Sequence, residues 1–384
     1  MAALPEFLSM YKSMIALPSV SCLNPQWDTS NKPVIDQLGV WLESLGFGVQ
    51  IEALEAQPNK YNLLARKGPE HASGGLLLAG HTDTVPWDEG RWTRDPFTLT
   101  EADGKLFGLG SADMKGFFAF VLEALKRIDL NELSKPIYVL ATADEETTMA
   151  GARELSKFPN LKPDYAVIGE PTSMVPVRMH KGHFTDCIRV TGKSGHSSDP
   201  DAGINAIEIM HEVIASLLKL KAELKNNYAE PAFRVPYPTL NFGHIHGGDA
   251  ANRICACCEL HMDMRPLPGM PVDLLGELLT KKLEPLINKY PSLLAVESMH
   301  PPIPGYQCAA DSTLVKMAEQ ISGSKAEPAN YCTEAPFIDA LGCETIVMGP
   351  GSINQAHQPD EFIRLDEINP ALTKIERLVQ ELCL

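Results

Sequence analysis

Gly75-Leu-Leu-Leu-Ala-Gly-His-Thr-Asp83 is a short apolar run that stops at a histidine and an aspartate two residues apart. An unbroken apolar run of this length suits a strand buried on both faces, as in a parallel sheet. Ile137 to Ala141, Tyr165 to Ile168 and Thr345 to Met348 have the same form. Each also runs, on its carboxyl side, into groups able to bind a metal. The first meets Asp144-Glu145-Glu146, the second Glu170, and the third a Gly-Pro-Gly turn followed by His357. In open α/β sheets, ligands sit beyond the carboxyl ends of the strands. With Asp113 just ahead of a helix, these strand ends predict one convergent site.

Between the strands the pattern is helical. Glu6 to Ala16 and Val34 to Leu45 are amphipathic, and after Asp113 the residues Met114, Phe117, Phe118, Val121, Ala124, Leu125 and Ile128 recur at helical spacing. Leu372, Ile375, Leu378, Val379 and Leu382 predict a closing helix with Pro370 in its first turn. The fold class expected is α/β, a mixed and mostly parallel sheet flanked by helices. From about His183 to Met299 the rhythm changes to strand, helix, two strands, helix, strand, the ferredoxin-like βαββαβ order. An α+β domain over residues 182–293 is therefore expected to interrupt a larger domain formed by residues 1–181 and 294–384.

The bulk numbers narrow the class. A chain of 384 residues suggests more than one core. Its net charge of −16 offers no basic stripe for nucleic acid. No apolar run approaches the ~18 residues of a membrane helix, and no secretory signal opens the chain. Nine scattered cysteines fit reduced thiols better than a disulfide framework, so the expectation is a soluble cytoplasmic protein.

His81, Asp113, Glu146, Glu170 and His357 are the candidate metal ligands. Structural zinc prefers closed thiolate and imidazole sets, and calcium takes oxygen donors alone. Imidazoles mixed with carboxylates suit two zinc-like ions about 3.5–4 Å apart, which activate water for hydrolysis. Glu145, beside a ligand, is the natural acid/base. Asp83 is placed to hold the far nitrogen of His81. Singly, each piece has an ordinary reading: a surface His-x-Asp pair, a helix cap at Asp113, a turn acid at Glu170. Together, at separate strand ends, they favour the metal site.

These motifs carry a resemblance. Gly80-His-Thr-Asp-Thr-Val-Pro86, Gly108-Leu-Gly-Ser-Ala-Asp-Met-Lys-Gly116, Asp144-Glu-Glu146, Gly169-Glu-Pro-Thr172 and Ser194-Gly-His-Ser-Ser198 resemble the co-catalytic di-zinc aminoacylase and carboxypeptidase family, in order and along the whole chain. Asp88 to Pro96, Arg253 to Cys258 and Gly349 to Glu361 resemble one enzyme within it almost word for word. The resemblance implies hydrolysis of a small Nα-acylated amino acid by two zinc ions per subunit, for which cobalt can substitute. It gives His81 and Glu170 to one ion, Glu146 and His357 to the other, and Asp113 to both. It implies a cis bond between Asp113 and Met114, and a homodimer in which the inserted domain acts as lid and dimerisation unit. There His196 would serve as an oxyanion donor across the interface, with Asn252 and Arg265 meeting the substrate carboxylate. Arg265 has the plainer alternative of pairing with Asp263. Glu170, where aminopeptidases of the family tend to carry aspartate, favours the deacylase and carboxypeptidase branch. Desuccinylation and small-carboxypeptidase activity remain alternatives, as does a non-catalytic amino-acid sensor.

Other pairs read as structural. Cys255-x-Cys257-Cys258 lies in an alternating strand pattern, where cysteine acts as a small hydrophobe. His244-x-His246 has no third donor near in sequence.

Overall fold

The computed structural model describes residues 4–87 and 90–384, so Asp88 and Glu89, which open one resemblance stretch, lie outside the described residues. The strands that matter are β1 (Gly48–Ala53), β2 (Tyr61–Lys67), β3 (Leu76–His81), β4 (Ile137–Thr142), β5 (Tyr165–Pro171), β6 (Phe184–Thr191), β7 (Thr239–Gly247), β8 (Cys257–Arg265), β9 (Leu294–Ser298) and β10 (Glu344–Gly349). The helices are α1 (Phe7–Ala16), α2 (Lys32–Ser44), α3 (Phe117–Lys126), α4 (Ala206–Asn227), α5 (Leu274–Lys289) and α6 (Leu365–Cys383).

The chain divides into two compact units. The first comprises Met1–Arg178, Cys308–Glu327 and Thr333–Leu384; the second comprises Met179–Gln307 and Pro328–Cys332. In the first, the order β1-β2-β4-β3-β5-β10 runs across one sheet. β4, β3, β5 and β10 are mutually parallel, while β1 and β2 are antiparallel at the edge. Every residue of β3 and β4 is buried, as unbroken apolar runs require when helices cover both faces. α3 packs against α1 and α6, with Phe118 and Phe120 fully buried. Replacing either phenylalanine by alanine carries the usual core penalty of about 3–5 kcal/mol.

α6 begins earlier than the hydrophobic spacing predicts. It starts at Leu365, so Pro370 sits one turn inside it and removes one helical hydrogen bond. Asp366 and Glu367 occupy its first turn, where carboxylates favour the helix N-terminus, and Arg364 pairs with Asp366. Local charge therefore sets the start, and the proline is tolerated within.

The second unit is an antiparallel sheet in the order β7-β8-β6-β9, which is second, third, first, fourth along the chain. This is the ferredoxin-like order. α4 and α5 cover one face, with Ile188, Val190, Leu260, Met262, Met264, Val213, Leu217 and Leu279 in the shared core. β9 pairs with β6, and this unit runs past residue 294 to Gln307 and takes in Pro328–Cys332 as well. No helix among the described residues is long and apolar enough to cross a membrane. All nine cysteines are free; Cys255 and Cys258 are buried, Cys257 exposed.

Asp186 stands on the core side of β6 opposite Met262, and burial pushes its carboxyl from 3.8 to about 6. An acid whose folded pKa is raised holds its proton more tightly when folded, so its ionisation opposes folding. That penalty is absent below 3.8 and complete above about pH 6. Asp186→Asn should therefore raise stability to urea above about pH 6, with the gain fading as pH falls towards 3.8. Equal gain at both ends of that range, in denaturation curves, would rule out the buried charge as its source.

Candidate metal centre

Because β4, β3, β5 and β10 point the same way, their carboxyl ends share one edge of the first unit. β3 ends at His81 and β5 at Glu170-Pro171, while β4 and β10 lead into the loops of Glu145-Glu146 and His357. Close packing draws these ends together. A Cβ on Gly349 would stand 2.0 Å from the Gly169 carbonyl, and one on Gly169 would meet the Phe117 ring at 2.3 Å. Both positions admit only glycine.

The two histidines meet a common carboxylate from opposite sides. His81 Nε2 lies 3.2 Å from Asp113 Oδ1, and His357 Nε2 lies 3.6 Å from Asp113 Oδ2. His81 Nε2 is also 3.6 Å from Glu170 Oε1, and His357 Nε2 is 2.9 Å from Glu146 Oε2. Donor atoms of His81, Asp113 and Glu146 cluster within 4.8 Å of one another, as do those of His81, Glu145 and Glu170. One carboxylate with an oxygen towards each imidazole is the geometry that lets two cations share it. Glu146 Oε1 is buried without a hydrogen-bond partner. A buried carboxylate oxygen left unpaired is costly, and a cation there would satisfy it. The donor set therefore fits a pair of divalent ions.

The electrostatics agree. Burial, reinforced by neighbouring carboxylates, lifts Glu145 and Glu170 well above the ordinary carboxylate value. The hydrogen bond to Glu146 lifts His357 to about 9. Burial also lowers the cost of protonating Asp83, whose carboxyl rises to about 6.

Asp83 differs in detail from its expected contact. His81 Nδ1 lies 2.9 Å from the Asp83 backbone carbonyl and 3.6 Å from its carboxylate. The carboxylate instead accepts from the backbone N–H groups of Glu145 at 3.3 Å and Glu146 at 3.1 Å. The side chain is thus a clamp on the Glu145-Glu146 turn, and the carbonyl orients the imidazole. That turn is entered through Asp144 at φ 58°, a left-handed conformation rare outside glycine. Ser21 Oγ donates to Asp144 at 2.9 Å, and the buried Lys60 ammonium lies 3.1 Å from it. His357 is itself at φ 59°. Asp113–Met114 is trans, as are all peptide bonds of the described residues, so the expected cis bond is not found.

His196, Asn252 and Arg265 belong to the second unit. Exposed His196 shares a hydrogen bond with Ser198 Oγ at 2.7 Å, and Ser197 N–H donates to the Asn252 carbonyl. Arg265 Nε donates to Asp263 at 3.0 Å, the plainer alternative for it.

Two buried acids were not legible as site residues. Glu334 is fully buried, and burial pushes it to about 7 against the pull of Thr142 and His81, near enough to His81 and Asp83 to feel their charge. Its only signal is a lone acid ahead of the apolar Ala335-Pro336-Phe337-Ile338. Glu361 is tied to the loop of the shared carboxylate. Its Oε1 accepts from Ala112 N–H at 2.6 Å and Asp113 N–H at 2.9 Å, its Oε2 from Gly110 N–H at 3.0 Å. Burial pushes its carboxyl up to about 8, against these donors, which favour the ionised form. Since His357 lies four residues earlier, one side chain couples the two loops. Removing it strands buried donors at about 1–3 kcal/mol each. Glu361→Ala should therefore lose at least about 2 kcal/mol in denaturant titrations and bind cobalt more weakly. Glu361→Gln, which keeps one acceptor, should lose less of both. Wild-type stability and cobalt affinity in the alanine variant would remove the anchoring role.

The sequence matches the model of Peptidase family M20/M25/M40 over residues 77–381. It is 57% identical over 383 residues to the acetylornithine deacetylase of Yersinia pseudotuberculosis, a match covering 99% of this chain and 98% of that one. Its fold is similar to that of an M20 family metallo-carboxypeptidase from Sulfolobus solfataricus, with a TM-score of 0.78, 20% identity, and 98% and 99% of the two chains covered. It is also similar to a Bacillus subtilis structure described as a dinuclear metal-binding peptidase of the M20 family, with a TM-score of 0.67, 15% identity, and 98% and 97% covered. The chain belongs to peptidase family M20/M25/M40.

Proposed function

We propose that this chain hydrolyses N2-acetyl-L-ornithine to L-ornithine and acetate, a step of arginine biosynthesis, using two zinc ions per subunit that cobalt can replace. The observation that carries the reading is Asp113, with one oxygen towards His81 and the other towards His357, in a chain 57% identical over nearly its full length to a deacetylase of that substrate. The chain is a metal-dependent hydrolase. In this assignment His81 and Glu170 would hold one ion, Glu146 and His357 the other, and Asp113 would serve both.

Bound there, two such ions would acidify water and polarise the acyl carbonyl. The protein's own groups do the rest. Glu145 takes the proton of the attacking water and delivers it to the departing α-amine. Its burial suits this, because a carboxylate taken out of water holds a proton more readily. Asp83 fixes Glu145 through the backbone N–H it accepts from. His196, in a homodimer joined through the second unit, donates to the oxyanion as charge develops. Asn252 and Arg265 hold the substrate carboxylate, Arg265 by a two-pronged grip once released from Asp263. The acidic chain, with its net charge of −16, is a fitting host for a substrate carrying a free side-chain amine.

Glu145→Ala should lower kcat by two or more orders of magnitude, the usual worth of general acid–base catalysis. Its metal content should stay close to wild type. Near-normal turnover in this variant would move the proton transfer to another group. Turnover of acetylornithine, succinyl-diaminopimelate and acetylmethionine by the zinc- or cobalt-loaded protein tests the substrate. Acetylornithine should lead. A preference for the succinyl compound would make it a desuccinylase, and binding without product would make it a sensor.

A further inference from the structure

The second unit carries a separate set of metal donors. His244-x-His246 has no third donor near in sequence, but the sheet brings donors in from neighbouring strands. His244 on β7 lies opposite His261 on β8, and His261 lies opposite Cys187 on β6. The two imidazole centroids are 5.1 Å apart. Glu259, two residues before His261, projects from the same face of β8. Ligand atoms of Cys187, Glu259 and His261 all lie within 4.8 Å of one another. This face is the one opposite α4 and α5, whose core takes Leu260 and Met262 instead.

We propose that Cys187, Glu259 and His261 form a binding site for a divalent cation of the zinc and cadmium class, with His244 beside it as a fourth donor. The donor chemistry selects the ion. A sulfur, an imidazole and a carboxylate suit borderline-soft metals, whereas calcium and magnesium seek oxygen shells. Glu259 is already oriented for the task. Its Oε1 accepts from Arg189 Nε at 2.7 Å, leaving Oε2, which lies 3.9 Å from His261 Nε2, to face the site. Such an outer partner on a ligand carboxylate is a common feature of metal sites. The cost of a nearby guanidinium is reduced because Arg189 Nη1 is also held by Glu297 at 3.0 Å. Burial, reinforced by Glu259, raises the pKa of the Cys187 thiol in the metal-free protein. On binding, the sulfur–metal bond forms as the thiol proton passes to solvent.

The test titrates the full-length protein, its first-unit centre saturated with zinc, with cadmium. The thiolate-to-cadmium charge-transfer absorption in the ultraviolet is the readout, since the oxygen and imidazole donors of the other centre give no such band. The wild type should develop the band and saturate with one equivalent. Cys187→Ser should abolish it, and the half-buried His261→Ala change should weaken cadmium affinity at least tenfold. Cys257→Ser, which removes an exposed thiol on β8, should leave the band intact, and turnover of the zinc-loaded Cys187→Ser protein should match the wild type. No band in the wild type, or a band that survives Cys187→Ser or vanishes with Cys257→Ser, would overturn the proposal.

Discussion

The first unit is organised around a concentration of buried negative charge. Asp83, Asp113, Glu170 and Glu334 are at most 7% exposed, and Glu145 and Glu146 lie among them. The imidazoles that meet this group are His81 and His357. Carboxylates removed from water and set against one another favour the protonated form, which is why Glu145 and Glu170 rise so far. Divalent cations reverse that preference, because they are the largest local charges wherever they bind. The cluster is poorly balanced as a purely structural network and well balanced as a cradle for metal.

Holding such a cluster in place calls on the backbone more than on other side chains. Asp83 is fixed by two N–H groups, Glu361 by three, and Asp144 by Ser21 and the buried Lys60. Lys60 in turn donates to the Val20 and Thr29 carbonyls and to Asp28 at 2.7 Å. These partners neutralise charge without spending a metal-facing oxygen. The left-handed backbone at Asp144 and His357 is the cost of aiming loop residues back over the strand ends.

Much of this was legible because parallel sheets write it into local sequence. Strands buried on both faces read as unbroken apolar runs, and their carboxyl ends must fall on one edge, so His81, Glu170 and the Glu145-Glu146 turn could be grouped before any coordinates. The ferredoxin-like order followed from the alternation of patterns between His183 and Met299. Less legible were features set by partners far away in sequence. Nothing around Glu361 indicates that Gly110, Ala112 and Asp113 will donate to it from about 250 residues earlier. The closing strand β9 belongs to the ferredoxin-like pattern, whereas the addition of Pro328–Cys332 to the second unit is invisible along the chain. Pro370 misled because charge at Arg364 and Asp366, rather than proline, sets the start of α6.

Side-chain chemistry on a sheet is governed by distance across strands. Residues i and i+2 on one strand are about 6.5–7 Å apart, whereas direct cross-strand neighbours are about 4.5–5.5 Å apart. A motif such as His244-x-His246 is therefore a poor guide to what its own histidines can do. His261 and Cys187, from different segments, bring their ligand atoms within 4.8 Å of each other across the sheet. The metal centre of the first unit obeys the same rule from the other direction. His81, Glu146, Glu170 and His357 come one per strand end, and Asp113, ahead of α3, is the group that joins the His81 side to the His357 side. What a sequence motif can establish is which residue stands at a strand end, and the sheet determines which others stand beside it.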